Sequence, residues 1–288
     1  MGFAGDTFNT AWHLRQLRPD VQTGYCSRVG QDAVSQAMLE MMVSAGIDTE
    51  HVGRSADRSV GLYLITLDDG ERSFSYWRGA SAARQLAQDP AALARALGET
   101  DIAYFSGITV AILDPAGRET LLAAMAFARD AGKIVAFDPN LRPGLWKDTG
   151  EMCAAITAAA AVSDMVLPSY DDEAVHFGDR DMAATADRYL EAGARTVITG
   201  QWDVYDATGP PLLRDFFDRL SRGDPAPAAL AEAQRRFLAQ LRDSTAAEPW
   251  LHPYFWSVYT VAGDDRATCS TESELQAQVL QNFRGESP

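Results

Sequence analysis

Between residues 101 and 200 the sequence alternates β-rich runs with helical-period segments, and no other feature constrains the fold as much. "DIAYFSG" (101–107), "KIVAFDPN" (133–140), "DMVLPS" (164–169) and "RTVITG" (195–200) read as strands. Between them, Arg118 to Ala131, Glu151 to Val162 and Met182 to Ala192 carry apolar or Ala-rich helical patterns. Strands joined through helices run parallel, and a parallel sheet has to be covered on both faces. The predicted class is α/β: three α/β/α layers around a mostly parallel sheet. In such sheets ligands sit beyond the carboxyl ends of the strands. The polar strand ends are Ser106-Gly107, Asp138-Pro139-Asn140, Pro168-Ser169 and Thr199-Gly200, so these are candidate site positions before any resemblance is considered.

The flanking segments read differently. Residues 7–18 and Val34 to Ala45 have helical spacing, the second ending at Gly46. Residues 60–79 hold two β-rich runs around Asp68-Asp69-Gly70, a hairpin signal. After residue 200, a helix is predicted over 210–222, stopped by Gly223, and a second from Ala228 to Arg242. "RDSTAAEPW" (242–250) is loop-like, 252–264 reads as an aromatic-rich strand, and Thr271 with Glu274 marks the start of a peripheral helix over 271–283.

A net charge of −15 with no basic face excludes the phosphate backbone of nucleic acid as a partner. A phosphorylated small molecule stays open, because backbone N–H groups bind it regardless of net charge. The three cysteines (Cys26, Cys153, Cys269) are scattered, without a CxxC, so neither a zinc knuckle nor a disulfide framework is indicated. No signal-peptide pattern and no apolar run long enough to span a bilayer occur, which predicts a cytoplasmic protein without a membrane partner. Homo-oligomerisation is left open.

"AGDTFNTA" (4–11), "GLYLI" with "GERSFSYWRG" (61–79), "DPNLRPGLW" (138–146) and "LPSYDDEA" (167–174) together resemble the ribokinase-like sugar kinases of the PfkB family, most closely those acting on 2-keto-3-deoxygluconate. The resemblance covers residues 1–200 and implies a ribokinase-like fold with a small β-hairpin lid at about 58–80. It implies that Gly5, Asp6 and Asn9 hold sugar hydroxyls and that Tyr63 packs on the sugar. Arg78 and Arg142 would take the substrate carboxylate, whose planar geometry the guanidinium fork matches. Asp138 and Asn140 would line the same site. Ser169 and Asp172 stand where the family has its Asn-x-x-Glu, and so would serve ATP and Mg²⁺. Each residue has a plainer alternative. Asp6 could cap the first helix, Arg78 could stack on a surface ring, and Asp138 and Asn140 could be turn residues. Asp171, Asp172 and Glu173 could be a solvated helix start favoured by the helix dipole.

Two departures stand beside the resemblance. The family's first strand has no counterpart before "GDTFNTA". Its catalytic Gly-Ala-Gly-Asp, whose N–H groups neutralise the migrating phosphoryl group and whose Asp is the general base, is also missing; no Gly-x-Gly-Asp occurs in the chain. Asp206-Ala-Thr-Gly209 does not replace it, because Pro210 and Pro211 remove donors where an anion hole needs them. No catalytic residue is therefore assigned.

Residues 193–264, with "WDVYDAT" followed by "HPYFWSVYTVAGD", resemble instead the C-terminal part of CHAT domains, which are caspase-like peptidase relatives. The expected organisation is a kinase-like region at 1–198, a CHAT-like α/β fragment continuing the sheet at 199–264, and a helical tail at 265–288. Three functions are compatible with this: a sugar-acid kinase impaired by the missing motif, a CHAT-type cysteine peptidase relative without its His/Cys dyad, or a catalytically dead hybrid that at most binds a sugar acid. His252 reads as structural.

Overall fold

The computed structural model describes residues 2–68, 71–200, 209–220, 222–242 and 251–263. The stretch 201–208, the turn Asp69-Gly70, Cys269 and the expected tail helix at 271–283 lie outside the described residues. The chain divides into two compact units, Met1–Ser163 and Asp164–Pro288.

In the first unit, α1 (Asp6–Leu17), β1 (Ser27–Val29), α2 (Ala33–Ser44) and β2 (Val52–Arg54) come first. β1 and β2 pair in parallel, and Phe8, Val29, Met42, Ile47 and Val52 form their core. Sequence pattern does not predict these strands. At three residues each they are too short to show a period. The hairpin prediction holds: β3 (Leu62–Asp68) and β4 (Glu71–Trp77) pair antiparallel from Leu62↔Trp77 to Asp68↔Glu71.

After a 3₁₀ segment (Ala82–Gln88) come α3 (Pro90–Gly98), β5 (Ile102–Ser106), the short α4 (Gly107–Ile112) and α5 (Pro115–Asp130). β6 (Ile134–Asp138) pairs in parallel with β5, and α6 (Thr149–Ala161) ends the unit. α3 and α4 are also absent from the sequence-based reading. α5 starts three residues before its predicted beginning at Arg118. The cause is local: the Asp114 carboxylate accepts from Gly117 N–H at 2.7 Å, and Pro115, with φ preset and no N–H to satisfy, occupies the first turn. Asp32, Asp89 and Asp148 cap α2, α3 and α6 in the same way, so part of the acidic excess is structural.

The second unit holds β7 (Met165–Val166), α7 (Tyr170–Phe177), α8 (Met182–Ala192) and β8 (Thr196–Gly200). It continues with α9 (Gly209–Leu220), α10 (Ala226–Arg242) and β9 (Tyr259–Gly263). β8 pairs in parallel with β7 on one side and antiparallel with β9 on the other, in register from Thr196↔Gly263 to Gly200↔Tyr259. The predicted strand over 252–264 is therefore real only in its second half. Its first half is a 3₁₀ turn, Pro253–Phe255, in which Pro253 O accepts from Trp256 N–H at 3.2 Å and from Ser257 N–H at 2.9 Å. Proline cannot donate to a ladder, and the turn uses its carbonyl instead. Ile198, Leu212, Phe216, Leu220, Leu230 and Phe237 make one core against β8.

Candidate functional site

The N-terminal end of α1 and the carboxyl end of β6 carry the first group of predicted residues. Gly5 is the residue before α1, and it offers no side-chain cap. Its N–H is satisfied from inside the helix, by Asn9 Oδ1 at 3.2 Å. Asp6 is the first helical residue. It is not a cap: Asp6 Oδ1 accepts from Asn140 Nδ2 at 2.6 Å, across 134 residues of chain. The other oxygen, Oδ2, is buried with no hydrogen-bond partner. A buried acceptor of that kind carries a desolvation cost unless something donates to it.

Asn140 does two jobs. It has φ 34°, in the left-handed region that Asn tolerates better than most residues, and its N–H donates to Asp138 Oδ1 at 3.0 Å. The turn role and the site role expected as alternatives for Asp138 and Asn140 thus coexist. Close approach of the β5 end makes the turn possible: a Cβ on Gly107 would stand 1.8 Å from Pro139 O.

Tyr104 is absent from the residues predicted for the site. Its hydroxyl donates to Asp138 Oδ2 at 3.2 Å. In "DIAYFSG" it reads as one more apolar strand residue. The signal that finds it is register: Ser106 pairs with Asp138, so Tyr104, two residues earlier, shares a face with Asp138 on the diagonal. Burial pushes the Asp138 carboxyl up to about 6, and the Asp6 charge adds to that; Tyr104, the Asn140 N–H and the Arg142 charge pull the other way. Burial, and then the Asp138 charge, raise the Tyr104 phenol. Arg142 lies two residues beyond Asn140, exposed, with Nη1 donating to Leu141 O at 2.6 Å.

This cluster combines two carboxylates, two side-chain amides, a phenol and a guanidinium. Carboxylates accept from hydroxyls, amides both donate and accept, and an exposed guanidinium binds an anion in a fork. Such a set suits a small polyhydroxylated acid.

Tyr63 and Arg78 are placed by the β3–β4 hairpin. Tyr63 pairs with Tyr76, ring centroids 6.2 Å apart, and the Arg78 guanidinium lies 4.2 Å above the Tyr76 ring. The ring-stacked alternative for Arg78 is thus what the hairpin shows, with the side chain half-buried.

In the second unit, Ser169 precedes α7, exposed and making no side-chain cap, and Asp172 is half-buried in the first turn. The solvated-start reading of Asp171-Asp172-Glu173 fails for its last member. Glu173 is fully buried, accepting from Arg188 Nη2 at 2.7 Å and from the Tyr189 hydroxyl at 2.9 Å. Arg188 also holds Asp179 and stacks 3.7 Å over Phe177. Burial pushes Glu173 up to about 7 despite the Arg188 charge. The sequence shows only three acids at a helix start, and it is packing against Arg188 and Tyr189 that sets Glu173 apart. Among the described residues no cluster of three or more His, Cys, Asp or Glu side chains is arranged to hold a metal ion, Cys26 and Cys153 form no disulfide, and no helix is long and apolar enough to cross a membrane.

Comparison with known proteins bears on the family and the fold. The pfkB family carbohydrate kinase model matches residues 1–201, and the CHAT domain model matches residues 162–264. The 2-dehydro-3-deoxygluconokinase of Dickeya dadantii (strain 3937) is 36% identical over 202 residues, 68% of this chain and 65% of the relative. That of Bacillus subtilis (strain 168) is 31% identical over 214 residues, 72% of this chain and 64% of the relative. The chain thus spans a little under two thirds of the length of these relatives. Among solved structures, a PfkB protein from Polaromonas sp. JS666 superposes with a TM-score of 0.66 at 27% identity, over 80% of this chain and 82% of that one. Fructokinase from Vibrio cholerae O395 reaches 0.64 at 19% identity, over 84% and 91%, which speaks to fold alone. The chain belongs to the pfkB family of carbohydrate kinases and has its ribokinase-like α/β fold.

Proposed function

We propose that this pfkB-family member binds a sugar acid of the 2-keto-3-deoxygluconate class in its first unit and phosphorylates it from ATP, slowly, for want of the Gly-Ala-Gly-Asp segment. One observation carries the reading: Asp6 is tied to Asn140 at 2.6 Å while its other oxygen stays buried and unpartnered beside Asp138 and Tyr104. A sugar hydroxyl donating to Asp6 Oδ2 satisfies that acceptor. Gly5 and Asn9 flank it, and Asn140 fixes its other oxygen. Arg142, with Arg78 and Tyr63 from the hairpin, suits the carboxylate end of the substrate.

Ser169 and Asp172 would hold Mg²⁺–ATP. One exposed hydroxyl and one carboxylate fit an ion that keeps most of its waters and binds chiefly through phosphates. ATP would supply the γ-phosphoryl group as electrophile, and the ion would neutralise its phosphate charge. What this chain's residues contribute is orientation of the accepting hydroxyl, and an oriented acceptor retains part of the rate. A missing general base costs about 10²–10⁴-fold. The kinase-like region is taken as 1–198 and the CHAT-like fragment as 199–264; the peptidase reading ranks second, on its family match alone.

Calorimetric titration with 2-keto-3-deoxygluconate, followed by a coupled ATP assay, tests this. Saturable binding is expected, weakened about tenfold to a hundredfold in Arg142→Ala, the size of a lost charge-assisted pair. A folded protein that binds no sugar acid overturns the site; turnover at the rate of the full-length relatives overturns the impairment.

A further inference from the structure

We propose that Arg118, on α5, is a positioning residue that holds the 139–146 segment in the geometry presenting Asn140 and Arg142; for its substrate this rests on the sugar-acid reading. Nothing in the sequence singled Arg118 out, yet it meets three neighbours at once. Its Nε donates to Val110 O at 3.0 Å, its Nη1 donates to Glu151 Oε1 at 2.5 Å, and its guanidinium lies 4.7 Å over the Trp146 ring. The Arg118 side chain is 16% exposed and that of Glu151 32%, so the pair is part-buried under the Trp146 ring. The Glu151 carboxyl is lowered from its ordinary value, first by that Arg118 hydrogen bond.

The positioning role rests on which ends of the segment are already fixed. At its start, Asp138 is locked by the β5–β6 ladder and Pro139 by close packing on Gly107. At its finish there is no strand. The chain passes through a 3₁₀ turn, Pro143–Leu145, to Trp146, and then to Asp148, which caps α6 by accepting from Glu151 N–H at 2.8 Å. Arg118 meets both Trp146 and Glu151, and so ties the far end of the segment to α5. Between the two anchors, Leu141 is buried and Asn140 sits at φ 34°, a conformation the segment keeps only if both ends are held. Arg142 follows directly on buried Leu141 and donates back to its carbonyl, so its placement follows the backbone of this segment. Lysine would keep the charge but neither the planar stack nor the fork.

The test uses the full-length protein and the variants Arg118→Lys, Arg118→Met and Trp146→Leu, with Trp146→Phe as the conservative control. Amide hydrogen exchange in the absence of ligand is expected to quicken about tenfold in peptides covering 139–147 in the first three, the scale of the cation–π stack that all three lose, with Trp146→Phe close to wild type. Peptides from β1–β2 and α2 should be unchanged. Titration with 2-keto-3-deoxygluconate should show a similar loss of affinity in the same three variants. Unchanged exchange at 139–147, or loosening spread evenly through the first unit, overturns the proposal. A wild type that binds no sugar acid overturns the substrate reading instead, and the exchange result on ligand-free protein still decides the role of Arg118.

Discussion

At the scale of single residues, Asp138 shows a conflict between site and fold. Its carboxyl, ordinarily near 3.8, is pushed up to about 6 by burial and by Asp6. The folded state therefore binds a proton more tightly than the unfolded chain. The stability linked to this group is fully present below about pH 4 and is lost as pH rises to about 6 and beyond. At neutral pH the charged form costs the fold on the order of 1–3 kcal/mol. Asp138→Asn keeps an oxygen for the Asn140 N–H and removes the charge. It should raise the thermal midpoint at pH 8 and change it little at pH 4, as a calorimetric series across pH would show. An equal change at both pH values would mean that the Asp138 charge carries no such cost. On the proposed sugar-acid reading, the same substitution should also weaken binding, a trade between stability and function.

At the scale of elements, α7 and α8 are joined by the buried Glu173–Arg188–Asp179 group with Tyr189. Removing one partner of a buried ion pair leaves the other uncompensated, at about 3–5 kcal/mol. Arg188→Leu removes the cation that lowers the Glu173 pKa, so the penalty should be largest above pH 7, where Glu173 must ionise, and smaller near pH 5, where it holds its proton. Urea unfolding at the two pH values measures this, and a pH-independent loss would show that packing and not charge is at stake. The elements also show what a sequence can and cannot disclose. The β5, β6 and β8 strands and the β3–β4 hairpin were legible because each shows a period or a turn signal over five residues or more. β1 and β2, three residues each, show neither, and their pairing arises from the core around Phe8 and Met42. Asp6, Asn140 and Asp138 could be named from motifs, but the Asp6–Asn140 contact joins positions 134 residues apart and no local pattern encodes it. Tyr104, Glu173 and Arg118 escape a sequence reading for one reason: each is polar at a position whose neighbours announce a strand interior or a solvated helix, and only tertiary packing shows what it faces.

At the scale of the whole molecule, two family matches overlap across residues 162–201, and the second unit begins at Asp164, inside that overlap. Here β8, the last strand within the kinase match, receives β9 from beyond it along a five-pair antiparallel ladder. Ile198 of β8 is buried in one cluster with Leu212, Phe216 and Leu220 of α9 and Ala226, Leu230 and Phe237 of α10. Neither part of the second unit completes a core without the other: β8 supplies the sheet, and α9 and α10 supply most of the buried side chains. A chain ending at residue 201 would leave the β9-facing edge of β8 with its backbone groups unpaired and would uncover Ile198, whose core partners lie on α9 and α10. Limited proteolysis and amide exchange should then find residues 164–201 cleaved and unprotected in the truncated chain, while the full chain protects them. In the full chain, Phe216→Ala should cost about 3–5 kcal/mol, because it empties the centre of that shared core. If residues 164–201 stay protected after truncation, the kinase-like portion folds independently of the residues beyond it, and the ladder to β9 is an accretion on a finished sheet. Protection lost on truncation instead means that the sequence after residue 201 is part of what makes the second unit fold.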